Sequence, residues 1–198
     1  ETITITKQDR DLVQLTGSRL KYGASLSRKE MLQLALMASE NRAAAALGRT
    51  YPGGTTAFVA MMNQTARSMG MQHAEFIDPA GLSADNVASA RDLVKLVTKA
   101  NSYPLIRSTS RTRRLTVHPY KRLGPLAFGN TNRLLSNKEW DISVSKTGYI
   151  NEAGRCLVMH ATVDGNELIF ALLNSFGKLT PYGDSNRIRK WINRGKKS

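Results

Sequence analysis

The sequence predicts an α/β (α+β) fold, an antiparallel sheet covered by helices and joined to a helical subdomain, and three observations carry that expectation. Up to about residue 110 the apolar residues recur at helical spacing. Beyond it the period shortens to that of strands, and Asp164-Gly-Asn166 stands between two apolar runs as a hairpin signal. Helices clustered first and antiparallel strands last form a sheet with helices packed on it. A chain of 198 residues with 41% hydrophobic content can bury one core, and no repeat, biased segment or linker divides it. Residues 1–198 are therefore expected to form a single domain.

Each element has its own local reason. Glu1-Thr-Ile-Thr-Ile-Thr6 alternates as a strand does and lacks the basic start and apolar middle of a signal peptide. Ser27-Arg-Lys-Glu30 has the spacing of a capping box and precedes the apolar run Met31, Leu32, Leu34, Ala35, Leu36, so a helix should start there and run into Ser39. An alanine-rich helix from Arg42 through Leu47 follows, until Tyr51-Pro-Gly-Gly54 interrupts the pattern. Phe58, Met61, Met62, Thr65 and Met69 repeat at helical spacing from Thr56 to Met69, with Gly70 as the stop and the methionines as core filler. Ser89-Ala-Arg-Asp92 is a second capping box, and its helix, with Leu93, Leu96, Val97 and Ala100 on one face, is expected to end at Pro104. Ile142-Ser-Val-Ser145 alternates, and 157–163 and 168–173 are compact apolar runs. A last helix over about 185–192 places Ile188, Trp191 and Ile192 on one side.

Formal net charge is +14, from 29 Lys and Arg against 15 Asp and Glu, which favours an anionic polymer or surface as partner. Nucleic acid is disfavoured. The one dense basic run, Arg107, Arg111, Arg113 and Arg114, has no interleaved aromatic residue to stack bases. No window approaches the roughly 18 consecutive apolar residues of a membrane-spanning helix, so no span is expected. Cys156 is the single cysteine and lies in an apolar run, where it reads as a small buried hydrophobe. With His73, His118 and His160 scattered and no ligand spacing, no metal or other cofactor is expected. His73 and His118 read as surface residues and His160 as part of a strand.

Two short motifs carry chemistry. Ser39-Glu-Asn41 falls between two helices, where a turn can present Ser39 and Asn41 to a cleft, with Glu40 as a solvated helix-terminal charge. Lys146-Thr147-Gly148 ends a strand: the lysine and the hydroxyl suit a carboxylate, and the glycine admits a substrate backbone. Taken alone, either also fits a capped helix end or a strand followed by a turn.

In this order and spacing the two motifs resemble the Ser-x-Asn and Lys-Thr-Gly signatures of penicillin-recognising serine enzymes. Residues 34–44 (Leu34-Ala-Leu-Met-Ala-Ser-Glu-Asn-Arg-Ala-Ala44), Phe76-Ile-Asp-Pro-Ala-Gly-Leu82, Asn130-Thr-Asn-Arg-Leu-Leu135 and residues 146–154 extend that resemblance across nearly the whole chain. It is to the D-alanyl-D-alanine carboxypeptidase and endopeptidase family of low-molecular-mass penicillin-binding proteins, above all its endopeptidase members. The resemblance implies a β-lactamase/transpeptidase-like fold, peptidoglycan stem peptides as substrate, β-lactams as inhibitors and a periplasmic location.

The family's nucleophile is the serine of a Ser-x-x-Lys motif that opens a buried helix well upstream of Ser-x-Asn. The one such spacing here, Ser18-Arg-Leu-Lys21, sits in the turn-rich stretch Thr16–Gly23 only 21 residues before Ser39, outside that context. The expectation is that the nucleophile segment is absent from this chain, through truncation or supply by a separate N-terminal fragment, and that the chain alone is inactive. By resemblance Ser39 hands a proton to the leaving amine, and Asn41 holds the substrate amide and the absent lysine. Lys146 and Thr147 bind the carboxylate side of the substrate, Gly148 admits its backbone, and the Tyr149 N–H is one oxyanion donor. Carboxypeptidase relatives often carry an arginine after the last strand, where this chain reads Gly177-Lys-Leu-Thr-Pro-Tyr182. Lys178 as the nearest cation favours an endopeptidase. A carboxypeptidase and an inactive peptidoglycan-binding fragment are the alternatives; a β-lactamase lacks an acidic residue placed to direct a deacylating water.

Overall fold

The computed structural model describes residues 1–195. Strand β1 (Thr2–Thr4) pairs antiparallel with β2 (Ser25–Ser27), which runs straight into α1 (Arg28–Met37). The reciprocal capping box forms: the Glu30 N–H donates to Ser27 Oγ at 3.2 Å, and the Ser27 N–H to the Glu30 carboxylate at 2.8 Å. Helix α2 (Asn41–Arg49) follows after a three-residue break, and α3 (Gly54–Ser68) after the Pro-Gly-Gly turn. Ile3, Ile5, Leu20, Leu26, Met31, Leu34, Ala43 and Ala46 bury together with Val117 of β3 (Arg114–Val117) and Phe128 of β4 (Leu126–Gly129). β3 and β4 form an antiparallel pair of their own.

The second core lies on the sheet β5 (Asp141–Ile150), β6 (Gly154–Val163) and β7 (Asn166–Ser175), antiparallel in that order. Asp164 and Gly165, both at positive φ (50° and 75°), join β6 to β7 as the hairpin signal predicted. Leu157, Met159, Ala161 and Val163 alternate onto the face packed against Ile188 and Ile192 of α6 (Thr180–Gly195). Full burial of a side chain such as Leu157, Met159 or Val163 stabilises by about 1.5–3 kcal/mol. The opposite face meets α4 (Ala90–Asn101), where His160 lies 3.4 Å from the Asn101 amide, and α5 (Pro104–Arg111). This is the sheet with helices on it that the period change predicted.

Several expectations need correction. Pro104 does not end the Ser89-capped helix: that helix closes at Asn101, and Pro104 opens α5 at its first turn, where a missing N–H costs nothing. Lys146-Thr-Gly148 lies inside β5, which runs on to Ile150, because its edges still pair with β6 at Leu157 and Cys156. The last helix starts at Thr180, five residues early, and Trp191 is 74% exposed, off the Ile188–Ile192 face. Helix α3 is a surface helix with Ala66 its one fully buried residue, so its methionines are not core filler. Among the described residues no helix is long and apolar enough to cross a membrane.

Candidate active site

Ser39 sits where α1 has ended and α2 has not begun. Its φ of +51° is the left-handed conformation usually left to glycine at a helix end, and a non-glycine residue there carries strain of order 1 kcal/mol. The turn is held because the Ala38 and Glu40 N–H groups both bond to the Leu34 carbonyl at 3.1 Å. That conformation delivers the Ser39 hydroxyl to Lys146 of β5, whose Nζ donates to Ser39 Oγ and, at 2.8 Å, to the Thr147 carbonyl. Burial without a carboxylate partner pulls the Lys146 pKa from 10.5 down to about 8, so the ammonium still carries charge at neutral pH. Such a desolvated cation is suited to an anionic ligand.

Asn41, in the first turn of α2, points its amide N–H at Thr16 Oγ1 (2.9 Å). Thr16 in turn donates its hydroxyl to the Asp11 carboxylate at 2.7 Å. On the other wall, Thr147 Oγ1 donates to Thr131 Oγ1 at 2.7 Å. Thr131 is anchored by its own N–H to the Met37 carbonyl (2.9 Å), and its carbonyl accepts from the Tyr182 hydroxyl (3.0 Å). The end of α1, β5 and α6 are thereby fixed to one another at the site. A third wall is the loop Ala80–Leu82, folded around the Asp78 carboxylate, which accepts from the Ala80 and Gly81 N–H groups at 2.7 Å and the Ser83 N–H at 2.8 Å.

These walls enclose a cleft of about 500 Å³ that brings together Ser39, Asn41, Lys146, Thr147, Gly148 and Tyr149, the residues singled out from sequence. Two expectations fail here. Glu40 is not solvated: it is 8% exposed, accepts from the Ser18 hydroxyl at 2.5 Å and caps α2 through the Arg42 N–H. Cys156 is not core: it pairs across from Gly148 and is half-buried on the cleft wall. Thr16, Thr131, Arg133, Arg155 and Tyr182 line the cleft too and were not singled out; Asn130–Leu135 had entered only as a stretch of resemblance. Ser18 does not line the cleft. It lies outside any helix or strand, its hydroxyl committed to Glu40 and its oxygen accepting the Leu20 N–H at 3.0 Å. His73 and His118 are exposed and His160 is buried in β6, as expected. Among the described residues no group of His, Cys, Asp and Glu is arranged to hold a metal.

Residues 2–177 match the family model described as D-alanyl-D-alanine carboxypeptidase. The chain is 46% identical over 198 aligned positions to a D-alanyl-D-alanine endopeptidase of Pseudomonas aeruginosa, an alignment covering 98% of this chain and 63% of that protein. To the D-alanyl-D-alanine endopeptidase of Escherichia coli it is 45% identical, over 90% of this chain and 58% of the relative. The chain thus spans about six-tenths of the length of these curated relatives. Among solved structures, the crystal structure of the Streptomyces K15 DD-transpeptidase superposes with a TM-score of 0.85 at 26% identity, over 96% of this chain and 78% of that one.

Proposed function

Since the chain belongs to the D-alanyl-D-alanine carboxypeptidase family of serine peptidases, we propose that it forms most of the catalytic domain of a D-alanyl-D-alanine endopeptidase that cuts peptidoglycan cross-links in the periplasm and is acylated by β-lactams. The observation that carries the reading is the meeting of Ser39 and Lys146, 107 residues apart, in a cleft that also holds Asn41 and Thr147. Two motifs that are weak singly become one polar constellation.

In this reading the serine oxygen attacks the D-alanyl carbonyl, an ester forms, and the C–N bond breaks as the leaving amine takes a proton. Water then hydrolyses the ester. Ser39, hydrogen-bonded to Lys146, hands on the proton, and Asn41 offers its amide oxygen to the substrate and to the base. Lys146 and Thr147 hold the carboxylate side, Gly148 leaves room for the backbone, and the Tyr149 N–H donates to the oxyanion. The nucleophile belongs to a Ser-x-x-Lys segment outside residues 1–198. Support comes from Ser18, whose hydroxyl is spent on Glu40 and which opens no helix.

Endopeptidase action is favoured over carboxypeptidase action because the segment after β7, where carboxypeptidase relatives often carry an arginine, supplies Lys178 to the cleft, and an ammonium from that segment selects a terminal carboxylate less than a bidentate guanidinium would. The test is a side-by-side assay of purified cross-linked dimer and monomeric pentapeptide, at two ionic strengths, using a longer chain that includes the Ser-x-x-Lys segment. A higher kcat/KM on the dimer is expected. Faster release of terminal D-alanine from the monomer at both ionic strengths would make the protein a carboxypeptidase.

A further inference from the structure

Among the described residues, four cations, Lys146, Arg133, Arg155 and Lys178, line the cleft, and no acidic residue does. None of the four enters an ion pair among the described residues. Like charges in one cleft of about 500 Å³ repel, and a single substrate carboxylate at Lys146 and Thr147 leaves three of them unanswered. Arg155 is also preorganised. It pairs across from Tyr149, with its guanidinium 3.8 Å from that ring's centroid, a stacking that fixes the plane and leaves its N–H edge free. Arg133 shares this neighbourhood: both guanidinium charges act on the Tyr182 hydroxyl, where they oppose the burial that raises its pKa.

We propose that Arg155 and Arg133, with Lys178 at the rim, form a second anion subsite that takes a further free carboxylate of the peptide whose first carboxylate lies at Lys146 and Thr147. The spacing sets the kind of peptide. Thr147 pairs with Leu157 and Tyr149 with Arg155, so Thr147 and Arg155 share one face of the sheet, two residues apart along the strands, which is about 7 Å. An extended peptide covers that distance in about two residues. The subsite therefore selects peptides carrying an acidic group about two residues from the first carboxylate, and discriminates against the same peptides with that group amidated. This inference rests on the proposed peptidase reading for the location of the first carboxylate.

The test uses two product-like peptides ending in one D-alanine, with glutamate or glutamine two residues before the end, titrated by calorimetry into the chain at the length of its curated relatives. The acid peptide is expected to bind about tenfold more tightly, the worth of one charge-assisted contact. Arg155→Gln is expected to bring that ratio close to one by weakening the acid peptide alone, and Arg155→Lys to restore part of it. Arg133→Gln, on a separate element, should lower the ratio as well and serves if the Arg155 variant fails to fold. A ratio near one in the unmodified protein, a ratio unchanged in the variants, or equal weakening of both peptides would overturn the subsite. No acylation enters these titrations, so failure of penicillin to acylate the protein would count against the peptidase reading while the ratio still decides the subsite.

Discussion

The side-chain amide of Asn41 donates to the hydroxyl oxygen of Thr16 at 2.9 Å, and because Thr16 spends its own proton on Asp11, that oxygen can only accept. The Asn41 NH2 must therefore face Thr16, and its carbonyl oxygen is left for the cleft. Asp11 is a dependable acceptor: burial pushes its pKa up, but hydrogen bonds from Thr16, Gln14 and Val13 outweigh it and hold the pKa below the usual value. Thr16→Val, which keeps the shape and removes the acceptor, is expected to slow penicillin acylation of the longer chain about tenfold, with Thr16→Ser restoring it. Equal rates for valine and serine would show that Thr16 only packs.

Lys146 makes the site sensitive to pH. Its pKa of about 8 means that a carboxylate meets a cation at neutral pH and a neutral amine above that point, so affinity for a carboxylate ligand should fall as pH rises through about 8. The stability consequence has the opposite sign. Between about 8 and the ordinary 10.5 the unfolded chain binds the extra proton, so Lys146 favours the fold increasingly as pH rises through that window. Titrating a carboxylate ligand from pH 6 to 10 into the protein and its Lys146→Met variant isolates the effect; a variant with the same pH profile would exclude Lys146 as its source. In turnover, Lys146→Ala should cost about 2–4 kcal/mol of transition-state stabilisation.

Cys156 faces Gly148 across the β5–β6 ladder. Serine in its place should leave acylation within about twofold, since volume and polarity change little. A bulky maleimide on the thiol should instead obstruct the strand edge at Gly148 and abolish acylation, and the Cys156→Ser variant should be immune. Full activity after complete modification would remove Cys156 from the cleft wall.

Asp78 holds the third wall through several charge-assisted bonds, including one from the Asn86 amide at 2.6 Å. Asp78→Ala leaves those donors unpaired and is expected to destabilise by about 2–4 kcal/mol, read from urea midpoints, while weakening ligand binding through the displaced Ala80–Leu82 loop. Unchanged stability would mean the loop is held by other contacts.

What was legible in the sequence was local. The Ser27 capping box needs only four residues, the Asp164–Gly165 hairpin two, and Ser39 and Asn41 followed from a break between helical patterns. The features that were missed are those in which a local signal has two outcomes or a partner lies far along the chain. Pro104 serves equally to end one helix or to open the next, and here it opens α5. Glu40 is buried because Ser18, 22 residues away, meets it, and Cys156 reaches the cleft because the β5–β6 register sets it against Gly148. Thr16 carries no motif and Thr131 only a place within the Asn130–Leu135 stretch of resemblance, and the assembled fold gives both their role. The β3–β4 pair escaped because each strand has four residues, too few for a period to show.

A penicillin becomes attached to the nucleophile of a serine peptidase, so the attachment site locates that residue. The decisive measurement is mass-spectrometric mapping of the adduct formed by a labelled penicillin, on the 198-residue chain and on a longer chain that includes the Ser-x-x-Lys segment. The expected result is no adduct on the shorter chain and one on the longer, at a serine outside residues 1–198, with formation slowed by Lys146→Ala. Robust labelling of the 198-residue chain at Ser18, abolished by Ser18→Ala, would contradict it.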